Sequence, residues 1–167
     1  MANTQTAVKS KTNKLLLLVL SALFAAMITV MTAFLFHIPI GVNGGYLHFG
    51  DALIYLAASM LPTPYACIAA AVGAGLADIV SGAPIWAPFT LVIKACIALL
   101  FTAKKEKLLN KRNALALLGA WPITCAGYYI AEAIPANTIQ AAGSAVLFVL
   151  IALALDKMRF KSRLKLS

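Results

Sequence analysis

Four charged residues stand inside or at the margins of long apolar stretches: Asp51, Asp78, Lys94 and Glu132. A Lys or Asp at mid-bilayer depth costs about 2.5–3.5 kcal/mol on insertion scales, so such groups pair with one another or line a cavity. Their chemistry suits binding: carboxylates and an ammonium in a weakly polar interior can hold the polar groups of a small solute. Other residues nearby extend the set. Asn43, Tyr46 and His48 precede Asp51. Trp86, Thr90 and Lys94 are spaced i, i+4, i+8 and share a face if the helix already runs at Trp86. Tyr128 and Tyr129 lie one turn before Glu132, and Asn137, Gln140 and Ser144 follow. Aromatic walls with a few convergent polar groups describe a site for a small, flat, polar molecule.

Plainer readings apply to each residue singly. Asp51 would cap a helix that starts there, since a carboxylate is favoured at a helix N-terminus. Lys94 would form a structural ion pair with Asp78 or Glu132. Trp86, Tyr128 and Tyr129 would be interfacial belt aromatics, and His37 and His48 structural groups at the interface. Four charges at one depth favour the solute site. Cys67, Cys96 and Cys125 fall in separate apolar runs with no zinc or disulfide spacing, and each reads as a small hydrophobe. No metal site is expected.

The elements that must position these groups are membrane helices. The chain is 62% hydrophobic and only 11% charged, where a soluble domain carries roughly 25% charged residues. A helix crossing the ~30 Å hydrocarbon layer needs about 20 apolar residues, fewer if short or tilted. The apolar runs predict six spans: Leu15–Phe36, Asp51–Leu61, Tyr65–Val80, Ala87–Ala103, Ala114–Ile134 and Thr138–Leu155. Pro122 predicts a kink in the fifth. The first run follows a basic stretch, as in a secretory signal, yet no small-residue cleavage site follows it, so it reads as a retained helix.

Thirteen of the 14 Lys and Arg lie within Lys9–Lys14, Lys104–Arg112 and Lys157–Lys165; Lys94 is the other. With the N-terminus inside, the loops 37–50, 81–86 and 135–137 fall outside and contain no Lys or Arg, while both later basic clusters fall inside. Five or seven spans would put a basic cluster on the wrong side. The expectation is one all-α integral membrane protein with both termini cytoplasmic. Residues 1–14 are a cytoplasmic segment, 15–156 the six-helix domain and 157–167 a basic tail. This topology places all four buried charges toward the outer side. The basic clusters flank apolar runs and are not interleaved with aromatics on a folded domain, which argues against nucleic acid.

Rows of small residues let helices approach closely in lipid. Ser21, Ala25, Thr29 and Ala33 make one such row on the first helix, Ala22 and Ala26 another; the third helix has similar rows. No phosphate-binding glycine loop, His-Glu-x-x-His or Gly-x-Ser-x-Gly occurs, so neither ATP hydrolysis nor a catalytic residue is expected. A carrier with inverted repeats would be hard to build at this length. A small binding subunit powered elsewhere fits best.

The run Gly44-Gly45-Tyr46-Leu47-His48-Phe49-Gly50-Asp51-Ala52-Leu53-Ile54-Tyr55-Leu56-Ala57-Ala58 resembles the first loop and second helix of S components of energy-coupling factor transporters. Gly75-Leu76-Ala77-Asp78, Ser81-Gly82, Ile85-Trp86-Ala87-Pro88-Phe89-Thr90 and Ile93-Lys94 resemble the same group, as does Ser21-Ala22-Leu23-Phe24-Ala25-Ala26. The specific motifs cover roughly residues 15–103. The resemblance is to the riboflavin-type group, which includes hydroxymethylpyrimidine and pyridoxine carriers. It implies a multi-pass protein of a prokaryotic plasma membrane that binds a vitamin or precursor near the outer face. It implies docking, through first-helix alanines of which Ala22, Ala25 and Ala26 are the candidates, onto a transmembrane coupling subunit joined to two ATPases. No cofactor is expected. A pyrimidine or pyridine vitamin is the first expectation for the substrate, riboflavin the next. The alternative is a membrane assembly or chaperone subunit that binds only protein.

Overall fold

The computed structural model describes residues 2–35, 38–39, 46–127 and 134–164. Apart from a pair of two-residue strands it is helical: α1 Ala2–Ala33, β1 Ile38–Pro39, β2 Tyr46–Leu47, α2 Gly50–Met60, α3 Thr63–Val80, α4 Ala87–Leu100, α5 Lys111–Gly127, α6 Ile134–Lys157 and α7 Phe160–Arg163. The strands are antiparallel, with Ile38 opposite Leu47 and Pro39 opposite Tyr46. The stretches Lys14–Ala33, Thr63–Val80 and Thr138–Lys157 are long and apolar enough to cross a membrane.

Polarity is inverted relative to a soluble bundle. Leu18, Leu23, Ile68, Val92, Leu118, Val146 and Leu150 are exposed, whereas Asp51, Asp78, Lys94, Asn113, Gln140 and Ser144 are buried. An exterior of branched aliphatics around a polar interior is stable only when the surrounding solvent is hydrocarbon.

Several boundaries differ from the sequence expectation. Helix α1 begins at Ala2, well before Leu15, because no Gly or Pro interrupts residues 2–33; at 1.5 Å per residue its 32 residues extend about 48 Å. Helix α4 stops at Leu100, short of Ala103. Phe101 turns to extended backbone (ψ 170°) and stacks its ring on Tyr55 at 5.1 Å. Phe148 of α6 meets both rings edge-on, at 6.0 and 5.8 Å. Helix α5 contains Pro122 and is described as far as Gly127, so the end of the expected fifth span lies outside the described residues. The basic tail is not merely a tail: Arg159 adopts φ 49° and turns the chain into α7, which buries Lys161.

The short second span has a structural explanation. All eleven residues of α2 are buried, and it is enclosed by α1, α3, α4 and α6. A helix sheathed by other helices need not match the bilayer thickness itself. Helices α1 and α3 pack through small residues. The Thr29 hydroxyl lies 2.8 Å from the Gly73 carbonyl oxygen and 2.9 Å from that of Ala25. A Cβ on Gly73 would stand 2.7 Å from the Ala25 carbonyl oxygen and 3.0 Å from its Cα. Since backbone cannot retreat as a side-chain tip does, Gly73→Ala is expected to destabilise the fold by about 1–3 kcal/mol, as overpacking commonly does. Thermal unfolding in detergent measures this, and an unchanged midpoint would refute the close approach.

Candidate functional site

Asp51 lies in the first turn of α2, but its carboxylate does not cap the helix; Phe49 occupies the N-cap position, without a side-chain cap. The carboxylate turns instead toward α4 and α6. Lys94 Nζ stands 2.7 Å from Oδ1 and 3.0 Å from Oδ2, and Gln140 Nε2 donates to Oδ2 at 3.3 Å. Asp51 is 0% exposed, Lys94 1% and Gln140 3%. One polar cluster thus ties α2, α4 and α6 near the start of α2. The ion pair carries no net charge, so it presents a strong dipole.

The helical repeat explains how the neighbours arrive. Thr90 is one turn before Lys94 on α4 and is buried on the same side. Lys94 sits seven residues beyond Ala87, about 10 Å into α4. Ser144 follows Gln140 by one turn; it is fully buried, and its hydroxyl has no hydrogen-bond partner among the described residues. Such a group commonly marks a position for a ligand or water. His48 Nδ1 accepts the Gly50 amide at 3.1 Å, which makes Nε2 the protonated nitrogen of the neutral ring. Gly50 is required here, because a Cβ would collide with Thr32 Oγ1 of α1.

Asp78 is buried near the end of α3, while the carboxylate that Lys94 contacts at 2.7 Å is that of Asp51, which by itself reads in the sequence as a helix cap. Trp86 closes a 3₁₀ turn, Pro84–Trp86, one residue before α4. It is half-buried, and its ring meets the exposed Phe89 at 6.4 Å. Tyr46 lies in β2 and Asn137 in the first turn of α6. Asn43, Tyr128 and Glu132 lie outside the described residues. The structure therefore brings together Asp51, Lys94 and Gln140, with Thr90 beside Lys94 and His48 beside the start of α2.

Removing Gln140 tests the third strand of this tie. Hydrogen bonds to charged groups contribute about 1.5–3 kcal/mol, and one as long as 3.3 Å should fall at or below the lower end. Gln140→Leu is expected to lower the unfolding midpoint by less than either single substitution in the ion pair. A loss equal to that of Lys94→Met would show that Gln140 matters for more than this bond.

A second polar cluster occupies the opposite, basic end. Asn113 Oδ1 accepts the Thr102 amide at 2.8 Å, and its Nδ2 donates to Ser59 Oγ at 3.0 Å and to the carbonyls of Thr102 and Leu108 at 3.1 and 2.8 Å. Asp156 accepts the amides of Leu108 and Leu109 at 2.7 and 3.0 Å. Lys161 Nζ donates to the carbonyls of Ser59, Ala103 and Lys105. Sequence reasoning missed this cluster. A lone Asn beside an apolar run was the available signal for Asn113; Lys161 is one cation among many and carried none.

The first-helix alanines divide. Ser21 is buried and Ala25 half-buried, with the Ala25 backbone against Gly73 of α3. Ala22 and Ala26 are exposed on the other side.

A 64-residue stretch is 47% identical to an uncharacterized protein from a gap 3′ region of Pyrococcus woesei, covering 38% of this chain and 43% of that one. The chain thus spans less than half the length of that relative. Residues 12–154 match the family model of the ECF-type riboflavin transporter S component. Nearly all of the helical bundle, with both members of the buried ion pair, falls inside the match, and the chain belongs to the ECF-type riboflavin transporter S component family.

Proposed function

We propose that this protein is the high-affinity substrate-binding subunit of an energy-coupling factor importer, holding a vitamin or vitamin precursor near the end of the bundle where α2 begins. The family match supports the transport role. The observation that carries the site is the buried Asp51–Lys94–Gln140 cluster, with the Ser144 hydroxyl, unpartnered among the described residues, one turn beyond Gln140. A neutral ion pair, an amide and hydroxyls suit a neutral, planar heteroaromatic ring with alternating donors and acceptors. Riboflavin, which the family description names, has this character, as do hydroxymethylpyrimidine and pyridoxine. Asp78, Thr90 and His48 are further wall residues in this reading, and Trp86, Tyr46, Tyr128, Asn43, Glu132 and Asn137 complete the candidate set.

The reading includes six spans with both termini cytoplasmic. It rests on the basic segments Lys104–Arg112 and Lys157–Lys165 and the positive-inside rule. Ala22 and Ala26 are the docking surface for a transmembrane coupling subunit that carries two ATPases, and Ala25 is assigned to internal packing.

Native mass spectrometry of protein purified without added ligand, followed by thermal-shift screening of riboflavin, hydroxymethylpyrimidine, pyridoxine and other B vitamins, tests the reading. A retained small molecule that raises the midpoint supports it and names the substrate. Folded protein with no shift across the panel would favour a subunit that binds only protein.

A further inference from the structure

The basic end holds a cavity of about 290 Å³ that the vitamin site does not use. Glu106 and Lys107 of the segment after α4 form one wall, and Asp156, Arg159, Lys161 and Ser162 of the α6–α7 turn form the other, with Phe160 as the apolar part. The walls are held in place. Asp156 has an amide on each carboxylate oxygen, and the Lys161 ammonium bridges three carbonyls from α2 and from the segment after α4. Arg159, in left-handed backbone at φ 49°, sets the reversal that brings these parts together; a non-glycine residue there costs about 1–2 kcal/mol.

The charge of these walls is incompletely matched. Lys161 is 2% exposed, and among the described residues no carboxylate lies within ion-pair distance of its ammonium. Burial holds its pKa below the ordinary lysine value, with Asp156 acting in the opposite sense. Lys107 and Arg159 on the walls are exposed, and so are Lys104, Lys105, Lys111, Arg112, Lys157 and Arg163 of the same two segments and the start of α5, against one exposed carboxylate among the described residues of those stretches, Glu106. The cavity lies at the end of α6 and beyond the end of α4, and in the membrane reading this is the end that meets the headgroups of the leaflet. Leu153 and Met158 are exposed apolar residues near the end of α6.

We propose that this cavity seats the phosphate of an anionic phospholipid from the leaflet at the basic end, with Lys107 and Arg159 donating to its oxygens and the Lys161 charge behind them. The tail that builds it lies largely beyond the family match, which ends at residue 154. The proposal rests on the membrane reading but not on the identity of the vitamin.

The test uses the full-length protein in detergent. Phosphatidylglycerol, phosphatidylcholine with the same acyl chains, and inorganic phosphate are added separately, with thermal shift and native mass spectrometry as readouts. Phosphatidylglycerol is expected to raise the midpoint and to be retained, and phosphatidylcholine to do neither. The Lys107→Ala/Arg159→Ala double variant leaves the Asp156 and Lys161 ties in place. With each cation near an anionic surface contributing a comparable increment, it is expected to bind phosphatidylglycerol roughly thirtyfold more weakly. Equal effects of the two lipids, or full retention by the double variant, would overturn the proposal. A shift reproduced by inorganic phosphate alone would overturn the lipid assignment and leave a free-anion site. The vitamin-induced shift, measured in the same samples, separates failure here from failure of the transport reading.

Discussion

Lys94→Met is expected to lower the stability of the protein by about 3–5 kcal/mol, because it strands the Asp51 carboxylate without its counter-ion. Asp51 is fully buried and Lys94 contacts both of its oxygens, so water cannot replace the ammonium without opening α2 from α4. Met roughly preserves the volume, which keeps the effect electrostatic. The Asp51→Asn/Lys94→Met double variant removes both charges and is expected to recover most of the loss; replacing a buried pair with uncharged groups is often close to neutral. Thermal unfolding in detergent gives both numbers. A single variant as stable as wild type would show that the pair is not held as described. Vitamin binding by the refolded double variant then separates two roles. Affinity still reduced, by about tenfold or more, supports Lys94 as a substrate contact; wild-type affinity would confine the pair to holding the helices. Cys96→Ala, on an exposed position of the same helix, is the control and should change neither readout.

Ala22→Leu/Ala26→Leu is expected to abolish ATP-driven vitamin uptake while leaving substrate affinity within about twofold of wild type. The two positions are one helical turn apart on the exposed side of α1, among the larger exposed Leu18, Val19, Leu23 and Met27. A strip of small residues in such a setting admits the backbone of a second helix, and leucines there hold it away. Both side chains are exposed, so the fold should not suffer. Ala25→Leu is the counter-test, since its backbone abuts Gly73 across the α1–α3 contact, and it should cost stability before it costs transport. Uptake assays in cells expressing the coupling module, with ligand affinity measured on purified protein, distinguish these outcomes. Normal uptake in the double variant would remove these alanines from the docking surface. Lost affinity would place them in internal packing.

Much of the fold was legible because hydropathy is a local property. Most of the apolar run that starts at Leu15 had to be a helix in lipid, whatever its neighbours, since an unpaired backbone there is prohibitively costly, and α1 covers it as far as Ala33. The same logic located most of α3, α4 and α6, and short motifs such as Gly50-Asp51 and Ile93-Lys94 pointed to the family without any contact being known. The length of α2 was legible but its meaning was not. Eleven residues looked marginal as a span, and only the surrounding helices show that it is a sheathed central element. Likewise Ala22, Ala25 and Ala26 were equivalent by type, and the rotation of α1 against α3 separated them.

What the sequence by itself determined was the solvent this protein must live in, the approximate positions of its apolar helices, its family, and the presence of charges that a membrane helix carries only for a reason. Those follow from side-chain transfer energies and short motifs, which depend on neighbours in the chain. Only the tertiary structure brought Asp51 against Lys94. The sequence offered Asp51 as a helix cap and Asp78 or Glu132 as the partner of Lys94, yet the fold sets the Lys94 ammonium on Asp51, 43 positions away, whose helix is turned toward α4. It also decided that a tail lysine 102 positions from Ser59 closes the basic end. Pairings at such separations are set by how helices rotate and pack against one another, which depends on the small residues between them and not on the charged residues themselves.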